Sequence, residues 1–312
     1  MQTGPRILKS RMIRILATGF AGLLGLAFGS FLNVCVSRWP AGESVVTPRS
    51  HCRACARTLA WWENVPLLSW IVLRGRCRGC AAPISWRYPL VEAAVGVLWA
   101  AAAWEFFTNF AEPGPWTAFH TSYSVVTLLS QCLFFWLMVA LAFLDAEHLW
   151  LPNLLTLPGT ALGFVAFLTA SWLRAQDVFA HYGALPLITR FLFQITWHRL
   201  VAILAASGMV LLLRWLYGVI RHREGMGLGD VKLMALLGAW LGLPGTLLAF
   251  LIGTFLGAVA GIAVILFPSK REDPKDWATT RLPFGTFLCV GGIVSSLWGV
   301  TIINAYMRWV GL

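Results

Sequence analysis

Charge is scarce in this chain: Asp, Glu, Lys and Arg make up 12% of its 312 residues, and only 13 positions are acidic. A soluble domain carries about 25% charged residues, so an ordinary water-exposed surface is excluded. There is no HExxH pair, no convincing Ser, His and Asp triad spacing, and no glycine fingerprint opening a helix. Repeated halves with a break in each, the pattern of many secondary transporters, are missing as well. What fills the chain is apolar: 58% hydrophobic residues, with 17 Trp and 20 Phe. This is the composition of an all-α, polytopic membrane protein. The net charge of +11 does not point to nucleic acid, because Lys and Arg crowd the connections between apolar segments, where they act as topology signals.

Segments long enough to span begin near Met12, Pro89, Ser122, Pro152, Arg199, Gly245 and Phe284, each of about 20 residues. An eighth, shorter one runs from Val231 to Gly242 and ends at the turn signal Leu243-Pro244-Gly245. The expected fold is about eight transmembrane helices with both termini on one side. Arg6, Lys9, Arg11 and Arg14 precede the first apolar stretch as in a signal peptide, but that stretch continues through Val36, too far for a cleaved signal. Residues 1–36 therefore read as a first span, 37–88 as a polar connection and 89–312 as a membrane core. Of the 24 Lys and Arg, 16 fall on the side of the Arg38 to Arg87, Arg221 to Lys232 and Lys270 to Arg281 connections. That excess puts those connections in the cytoplasm. Residues 176–197, with Pro186 inside an apolar run, read as either loop or interfacial helix.

The polar connection holds two CxxC pairs, Cys52 with Cys55 and Cys77 with Cys80, separated by 21 residues. Two such turns offer four thiolates to a tetrahedral zinc ion. Closed coordination of this kind leaves no open position, so zinc here is structural. Disulfides are the competing reading, and a reducing cytoplasm argues against them. Arg53, Arg57, Arg74, Arg76 and Arg78 lie around the cysteines; they favour thiolate and offer charge to anionic lipid headgroups. Cys35, Cys132 and Cys289 lie singly in or beside apolar spans and read as packed core residues.

Two acids stand out against this background, Asp145 and Asp230, each at the edge of a long apolar segment. An ionisable group at membrane depth is costly unless it is paired or wet, and it marks a functional site. In Phe143-Leu144-Asp145-Ala146-Glu147-His148 the two acids are two positions apart, so on a helix they face roughly opposite sides. Asp145 directly follows the apolar run and is expected inside, with Glu147 and His148 nearer water. Asp230 closes the run Gly225-Met226-Gly227-Leu228-Gly229-Asp230-Val231-Lys232. It reads as an N-cap of the short helix, a role compatible with catalysis. The three glycines are expected to permit positive φ and close backbone approach in a segment lining a wet cavity. Two carboxylates that meet share one proton. The ionised member activates a water against a peptide carbonyl, and the protonated member supports the oxyanion. A proton or ion site of a transporter, or plain helix caps in a structural membrane subunit, are the other readings of the same pair.

Taken in order, the motifs resemble those of the type IV prepilin peptidases, intramembrane aspartic proteases with a GxGD signature. The resemblance rests on Gly29-Ser30-Phe31-Leu32-Asn33-Val34, the two CxxC pairs, Trp61 to Trp70 between them, and Ile84 to Glu92. It continues through the Asp145 region with Leu151-Pro152, Gly227 to Lys232, and Pro283-Phe284-Gly285, covering most of the chain. It implies that Asp145 and Asp230 are catalytic, with Gly227, Gly229 and Lys232 in the supporting loop. It further implies a bacterial inner-membrane enzyme with its active site and zinc loop at the cytoplasmic face. Such an enzyme cuts the basic leader of type IV prepilins and type II secretion pseudopilins, then methylates the new N-terminus with S-adenosylmethionine. The residues that hold S-adenosylmethionine stay unassigned, because the loop is too short for a nucleotide-binding sheet. Glu92 reads as a helix-start acid or as part of the methylation site. One departure is Asn153, where many relatives are expected to carry an acid; Asn can still cap the fourth spanning helix.

Overall fold

The computed structural model describes residues 4–109, 118–182, 185–222, 227–266 and 282–311. It is built of helices α1 (Gly4–Arg38), α2 (Leu68–Val72), α3 (Arg87–Asn109), α4 (Ala118–His148), α5 (Asn153–Tyr182), α6 (Leu185–Arg221), α7 (Leu228–Leu266) and α8 (Phe284–Val310). Among the described residues there is no strand; two isolated β-bridges, His51 with Thr58 and Arg76 with Pro83, pin the cysteine turns. Seven of the helices are long and apolar enough to cross a membrane.

The chain divides into two compact units, the first comprising residues 1–117 and 127–140, the second 118–126 and 141–312. In the first, α1 and α3 cross at close range because glycine lines the contact. A Cβ at Gly29 would lie 2.7 Å from Glu92 Cα, and one at Gly25 would lie 2.8 Å from the Val95 carbonyl. Small residues of this kind replace the hydrophobic effect as the packing device between helices in lipid. Indole N–H groups find backbone partners inside the same unit: Trp99 donates to the Cys132 carbonyl at 2.9 Å and Trp136 to that of Phe28 at 3.3 Å.

The second unit turns on α7. Its 39 residues would make a straight helix ~58 Å long, nearly twice the ~30 Å hydrocarbon layer. The helix breaks at Gly242, where φ is 70° and ψ 179°, a combination that essentially only glycine adopts. Its neighbours show that the chain reverses there. Before the break, Lys232 bonds Asn153 at the start of α5, and Trp240 donates to Gly159 farther along α5. After it, Gly245 meets Ser295, Gly253 meets Leu288 and Gly261 meets Leu282, running down α8 toward its start. The seven long helices therefore supply eight helical segments, and the break falls just before the turn signal at Leu243-Pro244-Gly245. Arg199 of α6 stands against the break with its guanidinium 3.8 Å from the Phe167 ring centroid, and a Cβ at residue 242 would lie 3.1 Å from its Nη1.

Helix α6 starts at Leu185, well ahead of the Arg199 start expected from hydropathy. Pro186 is its second residue, a position where the missing N–H has no intrahelical partner to lose. The ambiguous stretch 176–197 is thus helical in its described parts, with 183–184 outside them. Gly225, Met226 and the Lys270 to Arg281 connection also lie outside the described residues.

Candidate active site

Asp145 sits in the last turn of α4 and is 6% exposed, whereas Glu147 and His148 are exposed and pair with each other at 3.8 Å. The helix ends at Leu149, whose φ of 49° is a left-handed cap that costs a non-glycine residue roughly 1–2 kcal/mol. Turning there carries the chain to Leu151. A Cβ at Gly229 would lie 3.0 Å from Leu151 Cβ, and one at Gly285 would lie 2.9 Å from Leu151 Cδ1. One leucine is therefore wedged between the start of α7 and the start of α8.

Asp145 takes a backbone N–H group that the start of α8 leaves without an intrahelical partner. The Thr286 N–H donates to Asp145 Oδ2 at 2.7 Å. The Thr286 hydroxyl lies 3.1 Å from the same oxygen and 3.0 Å from the Ala142 carbonyl, so its one hydrogen serves one of them at a time. Gly285 is required for this approach, since a Cβ there would lie 3.0 Å from Asp145 Cγ. Hydrogen bonds to a charged group contribute ~1.5–3 kcal/mol each, which is the size of the ~2.5–3.5 kcal/mol cost of an acid at membrane depth.

Asp230, 8% exposed, occupies the third position of α7 rather than the N-cap that the sequence suggested. Its carboxylate turns back over the start of the helix, where a Cβ at Gly227 would lie 3.9 Å from Oδ2, the side on which the third-position acid of a capping box lies. The glycines differ from expectation too. Positive φ among glycines is confined to Gly42, Gly75, Gly242 and Gly311 in the described residues. Gly229 is needed for space against Leu151 and not for its dihedrals. The charge of Asp145 acts directly on Asp230, and both act on the buried Cys289. Two helix N-termini thus bring together two acids that are far apart in sequence.

Lys232 is held by Asn153, its Nζ donating to Oδ1 at 2.6 Å. The Asn153 side chain is therefore a partner for Lys232, where the sequence suggested a helix cap. The sequence gives no sign of Thr286 as a partner, of the wedge that Leu151 makes, or of the Lys232 to Asn153 bond. It does mark the start of α8, where Pro283 directly before an apolar run signals a helix start with free N–H groups.

In the first unit the four sulfurs of Cys52, Cys55, Cys77 and Cys80 lie within 4.8 Å of one another, and all four cysteines are free of disulfides. The Cys52 and Cys80 sulfurs are 3.8 Å apart, matching the ~3.8 Å edge of a tetrahedron with Zn–S bonds of ~2.3 Å. Each pair sits in the same kind of turn: Ala56 N–H returns to the Cys52 carbonyl and Ala81 N–H to that of Cys77, with φ of 57° at both alanines. The backbone N–H groups of Cys80 and Gly79 push the Cys77 thiol down to about 6. Cys80 is pushed up to about 11: the Ala82 N–H favours its thiolate, but desolvation and the neighbouring sulfurs outweigh that. Crowded thiols that divide in this way fit a divalent cation that would hold all four as thiolates.

Arg57 joins the cluster to Glu63, which is buried and accepts from Arg57 Nη2 at 2.6 Å and from the Ala60 N–H at 2.8 Å. The Arg57 guanidinium holds the Glu63 carboxyl below its usual range. Arg53 bonds the Ser37 carbonyl and Arg78 stacks on Trp62. Glu92, inside α3, accepts the Leu67 N–H at 2.8 Å. The residues that hold a nucleotide-like methyl donor stay unassigned among the described residues. Asn33 Oδ1 is a buried acceptor without a partner, which supplies a single contact point.

Comparison with known proteins places residues 23–106 in the bacterial peptidase A24 N-terminal domain and residues 132–262 in the type IV leader peptidase family. The chain is 33% identical to the prepilin leader peptidase/N-methyltransferase of Xanthomonas campestris pv. campestris, over 93% of this chain and 94% of that protein. It is 31% identical to the protein of that name from Pseudomonas aeruginosa, over 93% of each. With its namesake from Legionella pneumophila it shares 32%, over 92% of this chain and 93% of the relative. No solved structure matches.

Proposed function

The chain belongs to the type IV leader peptidase family, and from this premise we propose that Asp145 and Asp230 are the catalytic pair of a membrane-embedded aspartic peptidase. The protein is a multi-pass membrane enzyme that removes prepilin leaders and N-methylates the product. The observation that supports the assignment is that Leu151 packs against the starts of both α7 and α8, which carry buried Asp230 and the Thr286 N–H bonded to buried Asp145.

In the proposed mechanism one carboxylate takes a proton from water as the oxygen attacks the scissile carbonyl. The protonated partner donates to the developing oxyanion. Collapse of the tetrahedral intermediate breaks the C–N bond, and the proton gained by the first carboxylate passes to the leaving amine. Thr286 and Gly285 fix the orientation of Asp145, and Leu151 holds the spacing. Lys232 stands beside this machinery on α7.

The reaction faces the cytoplasm of a bacterial inner membrane in this reading, because the basic connections carry most of the Lys and Arg. A substrate's basic leader then stays inside while its apolar segment enters the bilayer. Residues 37–88 form a loop held by one structural zinc on Cys52, Cys55, Cys77 and Cys80, and this loop serves the methyl-transfer half, with S-adenosylmethionine as donor. Residues 89–312 hold the peptidase. Substrates are type IV prepilins and type II secretion pseudopilins, and the loop arginines rest on lipid headgroups.

The test is cleavage of a prepilin by detergent-purified protein, with products identified by mass. Asp145→Asn and Asp230→Asn are expected to lower cleavage by ~10²–10⁴-fold, and Glu147→Gln to retain it. Retained cleavage in either Asp variant would overturn the pair. A product heavier by one methyl group reports the second activity.

A further inference from the structure

A groove of about 370 Å³ opens on the second unit where α5 and α6 diverge over the first half of α7. Leu157 and Phe164 form one wall, Leu200 and Ile203 the other, and Ala235 lies on the floor, with Lys232 at one end. The small side chains of Ala161 and Ala235 leave the space unfilled. Its volume is that of a typical small-ligand site.

Two features say what occupies it. The groove is continuous with the carboxylate site, since Val231 and Lys232, which line it, directly follow Asp230 on the same helix. Its lining is apolar almost throughout, and its one charged residue, Lys232, is two positions after Asp230. Lys232 is bonded to the neutral Asn153 amide, and no carboxylate among the described residues pairs with it. Its charge is therefore left for an anionic group at the polar end of the bound molecule.

We propose that this groove is the docking site for the apolar segment of the substrate, with Lys232 reading an acidic side chain near the junction between that segment and the scissile bond. The inference rests on the catalytic reading of Asp145 and Asp230. A segment seated here enters the bilayer along α5 and α6, and its polar end passes over the start of α7 to the two carboxylates. Binding energy from the remote apolar part thus positions the scissile carbonyl. An anionic lipid, with a phosphate on Lys232 and a chain in the groove, is the competing occupant.

The test compares two substrates: a full prepilin in proteoliposomes and a short water-soluble peptide spanning only the scissile bond. Ala161→Trp fills the groove from an exposed position on α5. It is expected to raise KM for the prepilin about tenfold relative to its effect on the short peptide. Val165→Trp, lipid-facing on the same helix but outside the groove, is the control for folding and insertion. Asn153→Asp is expected to neutralise Lys232 and to remove the preference for a prepilin with an acidic junction over one in which that acid is replaced by Gln. An unchanged prepilin KM in Ala161→Trp would overturn the groove proposal. So would loss of a co-purifying anionic lipid, seen by native mass spectrometry, at constant KM. If Asp145→Asn and Asp230→Asn still cut both substrates, the catalytic reading itself fails, an outcome distinct from either.

Discussion

The cysteine loop and the carboxylate site handle polar groups in opposite ways. In the loop the cysteines come as short-range pairs, Cys52 with Cys55 and Cys77 with Cys80, and Glu63 is met by its near neighbours Arg57 and Ala60. In the helical unit the partners are remote, with Asp145 capping the start of α8 and Leu151 wedged against α7 and α8. A loop of about fifty residues with few buried side chains cannot build a core and depends on local turns and a cross-link. Long helices in lipid are rigid without help, so they can bring distant residues to one point. Damage to the loop should therefore spread over the whole loop, and damage to the helical site should stay local to its chemistry.

The largest expected effect breaks that contrast cleanly. Asp145→Asn and Asp230→Asn should lower leader cleavage by ~10²–10⁴-fold while methylation of a precut prepilin proceeds. Loss of both activities together would show that the two units are not separable. Gly285→Ala comes next, because the new Cβ would lie 3.0 Å from Asp145 Cγ and push the carboxylate off its N–H donor. Misplacement of about 1 Å costs ~10²-fold, so kcat for cleavage should fall by that order with prepilin KM little changed. An unaffected kcat would mean that the Thr286 N–H does not hold the active geometry.

For the loop, zinc analysis of purified protein should find about one ion per chain. Cys52→Ser combined with Cys77→Ser should remove it and lower methylation more than cleavage. A metal-free preparation with full activity would eliminate structural zinc, and equal loss of both activities would indicate general unfolding. The smallest effect belongs to Glu63. Its carboxyl is held below its usual value, so its stabilising contribution is complete above about 4.5 and is lost as pH falls through the lower native value. The difference between wild type and Glu63→Gln in protease nicking of the loop should be full at neutral pH and vanish in acid. Comparing the two at each pH cancels the proton-driven loss of zinc common to both. A difference that persists in acid would remove the ion pair as its cause.

The amino-acid sequence by itself determined the class of molecule, most of the spans, the four-cysteine set and the two acids at the edges of apolar segments, because each is written in composition or short spacing. Apolar runs of spanning length need no partner to be read, and a CxxC turn carries its own geometry. Tertiary structure decided how Asp145 and Asp230 meet. Nothing local in Asp145 points to Thr286, and the role of Gly229 as clearance for Leu151 appears only when α4, α7 and α8 converge. The reversal at Gly242 was signalled by Leu243-Pro244-Gly245, but its direction was set by packing against Asn153, Gly159, Ser295 and Leu288. Asn153 shows the limit most plainly: a side chain at a helix start can cap its own helix or bond a neighbour. Only the approach of Lys232 on α7 settles which, since hydrogen bonds between helices depend on distances that no single segment encodes.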